Sequence, residues 1–441
     1  MVFLNIKKKL LNRNALSKFF LLFAFVTYIF FILSLVFGFL NIFFFNCTYS
    51  LGQASDFYAY YQAGYNVIFG LNPYKSYAGY NVVPYSYGFM YLPFFAYTFG
   101  VFFALFPPLI AYIIWICINL FLILYACYIT NRICNILKKP KWVRNIAVGM
   151  WLCFTPIYTE LFFGQVNLFI GILTFFSFYE EFKKKEGCGT ILWTLGSLIK
   201  MIPYLLIPSY LSSKRTRKVL FNLFISLIVI ICFGLIYLPY FLYFLAMKTG
   251  IFIEENPTMY TFDFRSIFYY LSILITSNSQ WYGNSILIIF LVSFLFFFGL
   301  SFIATIYSKD YFISMALFVC SSFFVTYAIF EQNFTFLLPF IIVLWIRSDL
   351  RKKWFLVFLF LAIPTPFFIF ESLDYWSIEF ILIFKLFKIV PTIILFIFLL
   401  IKAFKTPRED KIINSIKEIK KNILFGFKKQ DLKKLPNVFV E

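Results

Sequence analysis

Nine ionisable side chains sit within or beside stretches of this chain that are otherwise too apolar to hold charge: Asp56, Glu160, Lys200, Asp263, Arg265, Glu331, Glu371, Asp374 and Glu379. A charge at the centre of a membrane helix costs roughly 2.5–3.5 kcal/mol on insertion scales, so each needs a reason to be there. Asp56 has the clearest chemistry. It lies in Ser55-Asp56-Phe57-Tyr58-Ala59-Tyr60-Tyr61, with no basic residue near it in sequence. A carboxylate at the edge of a low-dielectric region is strengthened as a base by partial desolvation and suits general-base work. The same position also reads as a helix N-cap, because Asp before an aromatic-rich helical run is a common start signal. The local residues leave both readings open.

The other candidates would serve binding. Lys200 is a lone cation in an apolar helical run, where a functional charge is the expected reading. Arg265 and Lys75 fall in polar loops and could meet an anionic group, although Arg265 is as well explained by a loop salt bridge with Asp263. Gln165 and Asn167 either line a site or hydrogen-bond neighbouring helices, a frequent use of amides in membranes. Glu331, in Glu331-Gln332-Asn333, either faces the same cavity as Asp56 or forms an ordinary polar interface. No metal and no cofactor are expected. The chain has no His, its eight Cys are scattered without metal-ligand spacing, and no Asp-x-Asp pair or glycine-rich phosphate loop occurs.

The elements that must position these residues are membrane helices. Hydrophobic residues make up 62% of the chain and charged residues 13%, against about 25% charged in a soluble domain. No charge occurs between Lys18 and Asp56, Lys75 and Arg132, Lys218 and Lys248, or Arg265 and Lys309. Each interval can hold at least one span of roughly 20 residues. The runs are apolar all round rather than alternating, which excludes a transmembrane barrel. The first run, Phe19 to Phe45, is too long for a signal peptide and lacks a small-residue cleavage site. The expected fold class is therefore all-α, a polytopic transmembrane bundle.

Hydropathy predicts twelve spans, centred near residues 19–41, 91–106, 109–130, 145–162, 166–180, 189–210, 219–246, 284–307, 311–330, 333–346, 355–371 and 379–401. Residues 1–401 form a single membrane domain on this reading, with outer loops at about 45–90 and 248–282. Basic clusters at both ends predict cytoplasmic termini, although the same count leaves the basic stretches 132–144 and 180–185 facing outward. The formal charge of +20 is carried by such short clusters, so it reads as membrane orientation and not as nucleic-acid binding. Residues 402–441 form a basic tail. Ile412, Ile416, Ile419, Ile423 and Phe427 recur there at helical spacing between lysines, as in an amphipathic interfacial helix, or the tail is simply solvated.

The order SDFYAYYQAG, GLNPY, YLPFFAY resembles the first outer loop of the polyprenyl-phosphate-mannose-dependent mannosyltransferases, membrane glycosyltransferases of the GT-C class. Gly164-Gln165-Val166-Asn167 resembles that family's GQxN segment, and Leu198-Ile199-Lys200-Met201-Ile202-Pro203 its lysine-containing helix. The resemblance covers about residues 55–210. It implies a GT-C-like bundle and inverting transfer of a hexose, mannose first, from a polyprenyl or dolichyl phosphate to an acceptor hydroxyl on the non-cytoplasmic face. It also implies that Asp56 is the catalytic base. The implied partners are the lipid-phosphate sugar donor, a glycan or glycolipid acceptor and the bilayer; the setting expected first is a prokaryotic plasma membrane, with an organelle lumen as the alternative. The chain departs from the family in lacking a His on a late helix, so no second catalytic group is named. Two readings of another class compete: a transporter or flippase for a lipid-linked glycan, and a non-catalytic membrane scaffold. No internal repeat of the transporter kind is visible.

Overall fold

The computed structural model describes residues 2–41, 53–77, 79–85, 88–183, 186–200, 202–212, 216–236, 238–240, 242, 264–276, 280–308, 310–325, 330–347, 351–364 and 377–405. Among them the fold is all-helical, as expected. The principal helices are α1 (Val2–Phe37), α2 (Ser55–Ile68), α3 (Pro108–Ile136), α4 (Lys141–Leu152), α5 (Pro156–Phe163), α6 (Asn167–Phe182) and α7 (Glu186–Ile199). They continue as α8 (Thr216–Ile236), α9 (Phe264–Thr276), α10 (Gln280–Tyr307), α11 (Tyr311–Val325), α12 (Leu338–Arg347), α13 (Arg351–Ala362) and α14 (Ile378–Lys405). The basic tail expected to lie on the membrane falls almost wholly outside the described residues.

Among the described residues five helical stretches are long and apolar enough to cross a membrane: Arg13–Phe37, Pro108–Ile136, Lys141–Phe163, Ile288–Tyr307 and Ile378–Lys405. Five more apolar helices among the described residues are shorter. Helix lengths therefore do not establish twelve crossings. Proline explains part of the difference. The run expected to span 189–210 stops at Ile199, turns through the 3₁₀ segment Ile202–Leu206 and resumes as the short helix Ile207–Ser212, with Pro203 in the turn and Pro208 in the first turn of the new helix. The run at 355–371 likewise ends its helix at Ala362, just before Pro364. Helix α9 falls within the stretch 248–282, read from hydropathy as an outer loop.

The chain divides into two compact units. The first comprises Met1–Phe89, Ala96–Tyr179 and Glu331–Ser377. Within it α1 lies along α4, where a side chain on Gly149 would run into the Phe20 ring. Long-range polar bonds tie the other helices. The Tyr28 hydroxyl donates to the Leu120 carbonyl, the Trp151 indole to Thr130 Oγ1, and the Trp345 indole to the Val143 carbonyl. In hydrocarbon such bonds add about 0.6 kcal/mol each on average, enough to choose among helix registers that apolar packing leaves nearly equal. Much of the outer face of α1 is bare apolar surface, including Phe19, Leu22, Phe23 and Phe37. Lipid can cover such a face and water cannot.

Helix α2, by contrast, is mostly buried. It closes with a pair of bonds from Leu71 N–H to the Asn66 carbonyl and Gly70 N–H to the Val67 carbonyl, the Schellman arrangement. Its middle rests against a π-helical turn, Ala96–Gly100. That contact is backbone on backbone: a Cβ on Gly64 would fall 1.9 Å from the Gly100 carbonyl carbon. The wide turn presents Gly100, itself without room for a side chain, since a Cβ there would lie 2.8 Å from the Tyr60 carbonyl oxygen. Beneath α2, Phe57 is fully buried in a nest of rings formed by Phe103, Tyr112 and Trp115.

The second unit comprises Met90–Phe95, Glu180–Phe330 and Ile378–Glu441. Its helices α9, α10 and α11 pack on α14, and α10 and α11 share a buried Ser301–Ser321 hydroxyl pair at 2.7 Å. The Trp193 indole of α7 donates to the Pro203 carbonyl and folds the 3₁₀ turn back on the helix.

Two substitutions test these contacts. Gly64→Ala forces backbone apart and is expected to lower stability by about 3 kcal/mol, at the upper end of ordinary overpacking. Gly164→Ala combines a left-handed residue (φ 71°) with a Cβ that would sit 2.5 Å from that of Phe57. The conformation alone costs about 1–2 kcal/mol. Both are measured on detergent-purified protein by a thiol-reactive fluorophore, which reports unfolding as buried Cys127, Cys134, Cys153 and Cys320 open. Unchanged melting of Gly64→Ala would show that the two helices are not in backbone contact.

Candidate active site

The site is assembled where α2, α5 and α6 meet within the first unit. Asp56 is the second residue of α2, partly buried. It is not the cap. That place is taken by Ala54, in a left-handed conformation and without a side-chain bond. The cap reading of Asp56 is thereby overturned: its carboxylate stands inside the first turn, where the positive end of the helix dipole favours an anion. Ala54 is held by its own N–H, which donates to the Phe162 carbonyl at 2.7 Å, while its carbonyl accepts from Tyr58 N–H. The start of α2 is therefore fastened to the end of α5.

The α5–α6 junction has an equally local explanation. Pro156 starts α5 at its first turn, where proline is tolerated. Gly164 ends it in the left-handed conformation, with its N–H on the Leu161 carbonyl and that of Gln165 on the Glu160 carbonyl. The Tyr112 hydroxyl, from α3, satisfies the last carbonyls of α5 by donating to Leu161 and Phe162 at 2.9 and 3.1 Å. Gly164 must be glycine for a second reason, because Phe57 of α2 occupies the space its side chain would need. This contact carries Gln165 onto the start of α2.

Gln165 Nε2 donates to Asp56 Oδ2 at 2.7 Å. Its Oε1 accepts from Asn167 Nδ2 at 3.1 Å. Asn167 Nδ2 also faces Glu160 Oε2 at 3.2 Å and Asn333 Oδ1 at 3.1 Å. Glu160 Oε1 accepts the Leu168 N–H at 2.7 Å. Two carboxylates are thus linked through two amides, with Asn333 joining from the 3₁₀ segment Glu331–Phe336, which packs on α5. Of the two uses open to Gln165 and Asn167 from sequence, hydrogen bonding between elements is what the geometry displays, and Gln165 does so directly on Asp56. Glu331 is buried in the same 3₁₀ segment as Asn333.

The remaining candidates are placed elsewhere. Lys75 is exposed in the loop after α2. Its carbonyl accepts from Asn66 Nδ2, and it borders a crevice with Gln62, Tyr74 and Phe89. Gln62 Nε2 and Asn66 Nδ2 donate to the carbonyls of Tyr80 and Asn72, clasping that loop to α2. Lys200 belongs to the second unit. Instead of lying deep in a helix, it follows the last residue of α7, where the negative end of the dipole favours a cation. Its Nζ lies 5.9 Å from the centre of the Tyr91 ring, within cation–π reach. Arg265 is the second residue of α9, and its side chain is outside the described residues, as is all of Asp263.

Hydropathy concealed two further charges. Lys385 and Lys388, one turn apart on α14, are fully buried within the second unit, and Lys385 Nζ lies 5.0 Å from the Tyr270 ring centre. The visible signal is a Lys-x-x-Lys pair in an apolar run. Averaging over the run hid it. Glu160 stood out as a charge in an apolar stretch, but nothing in its spacing announced its two amide partners. Among the described residues no group of acidic or sulfur side chains is arranged to hold a metal ion.

An all-helical fold with long apolar helices among the described residues agrees with a family match over residues 89–364, more than half the chain, to glycosyltransferase family 87. Asp56 and Lys75 precede the matched segment, whereas Glu160, Gln165, Asn167, Lys200, Arg265 and Glu331 lie inside it. Among curated proteins none matches the chain. The extent of the match settles the kind of chemistry that such a membrane-embedded bundle supports: the chain is an integral membrane protein that belongs to glycosyltransferase family 87.

Proposed function

We infer that this glycosyltransferase transfers a hexose, mannose in the first instance, from a polyprenyl- or dolichyl-phosphate donor to an acceptor hydroxyl. The transfer inverts the anomeric carbon and takes place on the non-cytoplasmic face of the membrane, that of a prokaryotic cell being the leading setting. The carrying observation is the Asp56 carboxylate, fixed at the start of α2 by the 2.7 Å bond from Gln165. A base must be held where it can reach a hydroxyl proton, and the bond from Gln165 fixes how the Asp56 carboxylate is turned.

In the step proposed, an Asp56 oxygen takes the acceptor's proton as the hydroxyl oxygen attacks the anomeric carbon. The bond between that carbon and the phosphate oxygen breaks, and its electron pair leaves with the polyprenyl phosphate. The phosphate carries one negative charge in the donor and gains a second as it takes the electron pair, so the enzyme needs cations near it. Lys200 is the first candidate, as a cation at a helix end beside an aromatic ring. Arg265 and Lys75 are the others, and Glu331 is a candidate contact for the sugar or acceptor. The absence of nucleotide-binding glycine loops from the sequence supports a lipid-borne donor. The partners are then the donor lipid, a glycan or glycolipid acceptor and the bilayer. Residues 1–401 act as one membrane domain, with both termini cytoplasmic.

Washed membranes containing the wild-type chain are expected to move label from polyprenyl-phosphate mannose into a lipid extract, and to do so less well from polyprenyl-phosphate glucose. Asp56→Asn, equally abundant, should lose at least about 100-fold in rate, the low end for a general base. Transfer at the wild-type rate would remove Asp56 from the chemistry. Lys200→Met should weaken use of the donor by about 10- to 100-fold, the loss of one charge-assisted bond worth roughly 1.5–3 kcal/mol. An unchanged donor KM in Lys200→Met would move the phosphate to Arg265 or Lys75.

A further inference from the structure

Resting on Asp56 as the base, we propose that the buried Glu160 is a positioning residue, which decides through Asn167 and Gln165 which end of an amide faces the Asp56 carboxylate. The argument is one of donors and acceptors. A primary amide has a donor end and an acceptor end of nearly equal shape, and only its neighbours decide which way round it sits. Gln165 on its own could turn either end to Asp56. With Nε2 forward it stabilises the carboxylate and holds it still; with Oε1 forward two acceptors repel.

Glu160 removes the choice. The Leu168 N–H, an obligate donor, engages its Oε1 at 2.7 Å. Its Oε2 then presents an acceptor to Asn167, which must answer with Nδ2. Asn333 Oδ1 lies 3.1 Å from the same nitrogen and shares its two hydrogens with the other two acceptors, its own amide turning to suit that donor. With Nδ2 fixed, Asn167 meets Gln165 donor-first at 3.1 Å, so Gln165 accepts there and donates to Asp56. Every link is a heavy-atom distance of 2.7–3.2 Å, within hydrogen-bond range. Glu160 is 1% exposed and Asn167 2%, so water cannot readily stand in for a lost partner. The chain thus assigns direct contact with the reacting groups to Asp56, contact with Asp56 to Gln165, and orientation to Glu160 and Asn167.

Glu160→Gln is the discriminating variant because it keeps the shape and reverses the polarity. Its carbonyl must stay on the Leu168 N–H, so its new N–H₂ faces Asn167. Asn167 then turns its oxygen forward, Gln165 donates back to it, and Asp56 meets an oxygen. The expected result is a fall in kcat on the order of 10- to 100-fold, the scale of a small misplacement of a catalytic group, with donor KM within about twofold. A defect in folding alone would lower the amount of active enzyme without altering kcat per folded molecule.

Gln165→Met should produce the same kcat phenotype, and Glu160→Gln/Gln165→Met should be no slower than Gln165→Met, since both act on one bond. Additive losses, an unchanged kcat in Glu160→Gln, or a raised KM at constant kcat would overturn the relay. The last of these would make the amides substrate contacts. If Glu160→Gln does not accumulate, Asn167→Leu interrupts the next link and carries the same expectation. Asp56→Asn is measured alongside. Wild-type kcat in that variant sinks the base assignment itself, whereas loss of transfer there with intact Glu160→Gln sinks only the relay.

Discussion

A carboxylate at the start of a mostly buried helix must be held by donors that the protein supplies. Around α2 that requirement organises the structure. Asp56 stands next to Phe57, which anchors the helix on Phe103, Tyr112 and Trp115. The helix dipole supplies part of what is needed, and Gln165 supplies a hydrogen bond. Gln165 can do so only because Gly164 brings α5 against Phe57, and Gly164 can do that only because it has no side chain.

The rest of the first unit is the scaffold for that approach. Residues of α2 meet the π turn backbone to backbone through Gly64 and Gly100, which leaves the helix no room to slide. Tyr112 and Ala54 N–H share the Phe162 carbonyl, so α2, α3 and α5 are joined at a single atom. Small-residue contacts and shared polar bonds are what hold helices together where lipid removes the hydrophobic drive between them. The same devices that stabilise the unit therefore also aim its carboxylate.

Some of this was legible in the sequence and some was not. The all-helical class followed from the charge-free runs. Asp56, Gln165 and Asn167 were singled out from types and motifs, and the structure brings these three together. Span counting was less secure, because hydropathy records a run of apolar residues and cannot see where Pro203 breaks the helix. The cap assignment failed because Ala54 took the cap position through a backbone bond to Phe162, an interaction without a side-chain signature. Asn333 was in view only as part of Glu331-Gln332-Asn333: its partner lies 166 residues away, and no spacing points to it. Lys385 and Lys388 were readable as charges but were averaged away.

Those sequence separations bear on how the protein is made. Asp56 is 109 residues from Gln165, and Asn167 a further 166 from Asn333. At about 5–20 residues per second of synthesis, the segment bearing Asn333 follows Asp56 out of the ribosome on the order of tens of seconds later. During that interval Asp56 and Glu160 are made but lack the segment that completes their network. Biogenesis of this enzyme thus holds a half-built polar cluster until the late 3₁₀ segment arrives to complete it. Quality control has a window in which an unfinished chain is chemically distinct from a finished one.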